Sequence, residues 1–217
     1  KGRLIALFAL VRIRADLLYV LSPDFPAERL GQHLQRFIFR SKVKLVLDKD
    51  KFFAAQFDQQ PPSGLARDFI SGAPEQGIVL DFSSDADTRR LWVLPGALSV
   101  EVPRDETAEA NWRDADLMHG LPRLSETQTE LWTPQMLSLE RLNAFSLKKG
   151  CYPGQEIVAR THYLGQAKRQ NRLVQAHNLS VGAMIYRAEE KVGEVICVGT
   201  HTGTGLAILQ NIADSDS

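Results

Sequence analysis

The residues best suited to chemistry stand together at Lys149-Gly150-Cys151-Tyr152-Pro153-Gly154-Gln155-Glu156. Gly150 and Gly154 can adopt positive φ at little steric cost, and Pro153 holds one φ near −65°, so the loop is suited to keeping one shape. It would present a thiol between a cation and a helix start with free N–H groups. Lys149 and that helix terminus both favour thiolate over thiol. The expectation is a nucleophilic or metal-ligating sulfur at Cys151, with Lys149 tuning or positioning it. Gly150, Tyr152, Gly154, Gln155 and Glu156 then shape the surroundings, and Arg160 stands four residues beyond Glu156, at the spacing of a helix ion pair. Tyr152 can either stack on a ligand or fill the core.

Other reactive types carry less. Cys197 lies in the apolar run Val195-Ile196-Cys197-Val198 and reads as a core residue. Neither cysteine has a CxxC partner and no histidine pair has HExxH spacing, so no metal site is expected. Lys168, Arg169 and Arg172 form a modest basic cluster that could meet phosphate or a polyglutamate tail, or simply face water.

The elements that must position the motif read as α+β. Residues 4–13 and 16–22 look like two strands, and residues 27–39 carry Leu30, Leu34, Phe37 and Ile38 at helical spacing. Residues 42–48 and 52–57 read as strands, as do 77–82 and 91–94. A helix is expected over 111–118, capped by Asn111, after a polar loop from 100 to 111. Short helices are expected at 137–144 and 155–163. The β-like pieces 173–176, 183–186, 192–198 and 205–209 suggest a small β domain after residue 168.

Bulk properties bound the partners. The 217 residues carry 26 basic and 26 acidic side chains, so overall charge points neither to nucleic acid nor to a membrane. The apolar run 4–11 is far short of the ~20 residues of a bilayer span. Two cysteines are too few for a disulfide framework, which suits a reducing compartment such as the cytoplasm. Lys1 replaces the usual Met and a strand-like run follows at once, so an upstream segment is expected to be missing.

The octapeptide resembles the KGCYxGQE signature of the YgfZ family. The likeness continues through Gly120-Leu121-Pro122, Thr133-Pro134-Gln135 and Ile157-Val158-Ala159-Arg160, and through Gly2-Arg3 and Ser41-Lys42-Val43 near the start. That family is similar in fold to the T-protein aminomethyltransferase of glycine cleavage. The resemblance implies GcvT-like α+β modules, ferredoxin-like in kind, interleaved over residues 1–168, and a C-terminal β-barrel over 169–217. It also implies tetrahydrofolate as ligand, with Gly150, Tyr152, Gly154, Gln155, Glu156 and Arg160 near it. The role implied is an accessory one in iron–sulfur cluster assembly or repair, serving iron–sulfur enzymes that include tRNA-modifying ones. Residues 2–7 lack the carboxylate on which the T-protein relies, and Met118 stands where several folate-binding relatives carry Glu. Aminomethyl transfer is therefore the alternative, needing another carboxylate such as Asp16 or Glu156. A recruiting module with a structural Cys151 is the third reading.

Overall fold

A computed structural model of the chain describes residues 2–58, 70–83, 87–101, 103–148, 154–164, 168–200 and 203–211. Strands β1 (Ala9–Arg14) and β2 (Leu17–Leu21) form an antiparallel hairpin with Val11 opposite Tyr19. Alternation sends Ala9, Val11, Ile13, Tyr19 and Leu21 to one face. There they pack on Ile78, Leu80 and Val93 of a second sheet. That sheet runs β3 (Lys51–Asp58), β6 (Thr88–Pro95), β5 (Gly77–Asp81), β4 (Ile70–Ala73) in spatial order. Helix α1 (Ala27–Gln35) buries Leu30.

Helix α2 (Glu106–Met118) is capped by Asp105, whose carboxylate accepts from the N–H groups of Thr107 and Ala108 at 2.9 and 3.1 Å. Trp112 meets Phe57 of β3 and Phe82, the residue after β5, with ring centroids 5.9 and 5.6 Å away. Leu117 joins the other core, with Trp132, Leu137 and Leu139, then Ile196, Cys197, Leu206 and Ile208 of the third sheet. The third sheet is antiparallel, in the order β7 (Arg169–Gln175), β10 (Thr204–Gln210), β9 (Glu190–Val198), β8 (Met184–Arg187). Helix α2 therefore stands between the second and third sheets. Helix α3 (Gln155–Leu164) follows the motif and buries Val158.

The α+β class holds, with corrections. The expected strand at 42–48 is not formed: these residues pair with no described strand and are almost wholly exposed. An alternating pattern becomes a strand only where an edge takes up its backbone groups. Helix α2 starts at Glu106 and not Asn111, because Asp105 satisfies the first-turn donors of what read as a polar loop. Only Leu139–Leu142 of the expected helix at 137–144 is helical, as a 3₁₀ turn between positive-φ Ser138 and Asn143. The tail strands occur as expected, but β7 and β8 do not pair, so no barrel closes among the described residues. The four-residue β8 is too short an edge to complete one.

Candidate functional site

Lys149, Gly150, Cys151 and Tyr152 lie outside the described residues. The described part of the motif begins at Gly154, which has φ +86° and so uses the conformational freedom that suggested glycine there. Its carbonyl accepts from the N–H groups of Ile157 and Val158 at 3.2 and 3.3 Å, which starts α3. Gln155 is half-buried; Glu156 and Arg160 are exposed, and no Glu156–Arg160 ion pair forms among the described residues.

Two distant segments hold the helix start. Gly2, at φ +70°, approaches so closely that a Cβ there would stand 2.9 Å from the Ile157 Cβ and 3.1 Å from the Gly154 carbonyl oxygen. Leu4 keeps that segment in place, its N–H donating to the Trp132 carbonyl at 2.8 Å and its carbonyl accepting from Glu130 at 2.8 Å. From the other side the buried Gln135 donates Nε2–H to the Val158 carbonyl at 2.9 Å. Its Oε1 is buried with no hydrogen-bond partner. At the far end of α3, His162 Nδ1 lies 2.9 Å from Glu140 Oε1. The Gly2-Arg3 and Pro134-Gln135 segments thus converge on the helix that the motif begins.

Sequence reasoning missed a buried charge junction. Asp116 offers one oxygen to Arg89 and the other to Arg123, each at 2.8 Å, and Arg123 Nε reaches Asp24 at 2.7 Å. The side chains of Arg89 and Asp116 are each 3% exposed. Arg89 also lies over the Trp112 ring, 4.7 Å from its centroid, and within 3.3 Å of Asp87. Burial pulls the Arg123 guanidinium down, but Asp24 and Asp116 outweigh it and raise it net. Asp24 and Arg123 are 99 residues apart, so no local spacing could announce the pair. Cys197 is in the core as expected, and burial pushes its thiol up to about 11 despite backbone hydrogen bonds with Arg123 and Leu206.

Among the described residues no group of three or more His, Cys, Asp or Glu is placed to hold a metal ion. No helix among them is long and apolar enough to cross a membrane. A recess lined by Leu4–Leu7, Asp24, Phe25, Leu124, Ser125, Gln128 and Thr129 has room for about one water molecule. Met118, the last residue of α2, is exposed.

No protein-family model matches the chain. It is similar to curated proteins named tRNA-modifying protein YgfZ. The relative from Colwellia psychrerythraea is 26% identical over 180 residues, 78% of this chain and 55% of its own length. That from Cronobacter sakazakii is 28% identical over 193 residues, covering 82% and 57%. That from Vibrio atlanticus is 32% identical over 132 residues, covering 55% and 41%. The chain spans about half the length of the curated relatives it matches. With the octapeptide and its flanking segments in order, these likenesses make the chain similar to YgfZ proteins over most of its own length.

Proposed function

We propose that the chain acts as an accessory protein supporting tRNA modification, through a functional thiol at Cys151 used in the assembly or repair of iron–sulfur clusters. The observation that carries this reading is the built helix start behind the motif. Gly154 opens α3, while Gly2 and Gln135 fix the helix from two sides. The carbonyl of Gly154 takes the N–H groups of Ile157 and Val158, so those of Gln155 and Glu156 have no partner within the helix. Together with the positive end of the helix dipole, they favour a negative charge just upstream. Lys149 adds a second influence toward thiolate, and the Glu156 carboxylate opposes both. One cysteine cannot hold a cluster, so a cluster handled as cargo needs thiols from a second protein or a small molecule.

The family resemblance brings tetrahydrofolate with it as a ligand of the proposal. The one-carbon transferase reading is weaker. Asp16 is an exposed hairpin-turn carboxylate paired with Arg14 at 2.8 Å, and Glu156 is exposed on the first turn of α3.

The deciding experiment is complementation of a strain lacking its own YgfZ. Methylthiolated tRNA is scored by mass spectrometry and protein abundance by immunoblot. Cys151→Ala should lose most of the modification at unchanged abundance, and Lys149→Ala a smaller share. Full modification by Cys151→Ala would overturn the thiol's role and leave the recruiting-module reading.

A further inference from the structure

The balanced total of charges hides a strong local imbalance. Between residues 138 and 173 stand seven Lys and Arg against only Glu140 and Glu156, an excess of five positive charges. The fold gathers several of them. Asn171, at the head of β7, donates its N–H to Ser138 Oγ at 3.3 Å and its Nδ2–H to the Gly120 carbonyl at 3.2 Å. Arg141 lies over that same Gly120: a Cβ there would be 2.6 Å from Nη2, and φ is +65°. The Arg141 guanidinium is thus set beside the strand that carries Arg169 and Arg172. The His162–Glu140 contact brings the last turn of α3, two residues past Arg160, to the neighbour of Arg141.

These cations are not used up internally. Arg141, Arg160, Lys168 and Arg169 have no carboxylate partner among the described residues, and the nearest acid, Glu140, is engaged by His162. Burial lowers the Arg141 guanidinium with no carboxylate to offset it, a cost that an incoming anion would relieve. Within the cluster Tyr163 is 69% exposed and lies edge-on to His162, with centroids 4.9 Å apart. An exposed aromatic ring among arginines is the combination that single-stranded nucleic acid uses, phosphates on the cations and a base on the ring.

We propose that this face, Arg141, Arg160, Lys168 and Arg169 around Tyr163, binds a single-stranded segment of RNA. The inference rests on the tRNA-modification reading above and gives that reading a direct RNA contact, against the expectation drawn from overall charge. Single-stranded RNA is the occupant that uses both features in the way the proposed tRNA role calls for, phosphates on the cations and a base on the ring, and an acidic protein or an anionic membrane is an outcome of the test.

The test is fluorescence anisotropy of the full chain with a labelled, unstructured RNA of about ten nucleotides, repeated from roughly 50 to 200 mM KCl. Affinity should fall linearly on a log–log plot, by about 0.7 per phosphate neutralised. Arg141→Ala and Arg169→Ala should each weaken binding and flatten that slope by one such increment. Tyr163→Ala should weaken binding about tenfold or more with the slope unchanged, and Tyr163→Phe should bind normally. Circular dichroism and a thermal melt establish that each variant folds. Absence of binding at the lowest salt would overturn the proposal. So would equal affinity for polyglutamate or for phosphatidylserine vesicles, or insensitivity to all three alanine variants. Cys151→Ala should bind RNA like the unaltered chain. Loss of RNA binding with the thiol's complementation result intact removes only this surface; the reverse outcome removes only the thiol's role.

Discussion

The junction under α2 and the face beside α3 treat charge in opposite ways. At the junction every cation meets an anion: Asp116 divides its two oxygens between Arg89 and Arg123, and Arg123 also takes Asp24. Beside α3 the cations Arg141, Arg160 and Arg169 face solvent without carboxylates among the described residues. The first arrangement is architecture, since an orphaned buried charge costs several kcal/mol. The second adds almost nothing to stability, so its charge is available for a partner. Burial and pairing, and not the number of charges, separate the two.

Asp116→Ala should break the comparison most severely. It leaves two guanidinium groups without their shared acceptor, at a cost of about 3–5 kcal/mol in a denaturant titration. Replacing exposed Glu156 by alanine should leave the same titration unmoved.

Alkaline pH tests the core next to that junction. The Cys197 thiol is raised by burial to about 11, so the folded chain keeps its proton where the unfolded chain has lost it. Its contribution is complete below the unfolded value near 9 and disappears as pH rises through 11, a loss of about 2–3 kcal/mol. Thermal melts between these limits should show that slope, and Cys197→Ala should flatten it while lowering stability at neutral pH.

Gly120 links the comparison's two sides, lying two residues past the end of α2 and directly under Arg141. Gly120→Ala meets both a positive φ and the guanidinium, and should cost about 1–2 kcal/mol by chemical denaturation. Arg160→Ala and Arg169→Ala should, like Glu156→Ala, change stability by no more than about 0.5 kcal/mol. A larger loss at either would mean that these cations serve the fold after all.

Local patterns made much of this architecture readable. The β1–β2 hairpin is legible as two apolar runs about a polar turn, the tail strands as short β-like pieces, and α1 by its helical spacing. The motif's glycine was correctly expected to need unusual backbone freedom, as Gly154 shows. Errors arose where the deciding partner was remote. Residues 42–48 alternate well but have no edge to join, and β4, with Ser71 and Gly72 inside it, shows its strand nature only through pairing with β5. The start of α2 was readable in principle from Asp105 followed by acidic first-turn residues, and was obscured by the polarity around it. The charge junction was not readable at all, because its members come from four separate segments.

Helix α2 has a final consequence. Asp114 accepts the Thr200 N–H at 2.7 Å, from the loop that follows β9, while Asp116 holds Arg89 of β6. Two positions apart on a helix are about 200° around its axis, so these two carboxylates reach in nearly opposite directions. Neither sheet can slide without dragging this spindle, and through it the other sheet. Heat should therefore melt the second and third sheets together in one transition, and the amide protons of α2 should be among the slowest to exchange with solvent.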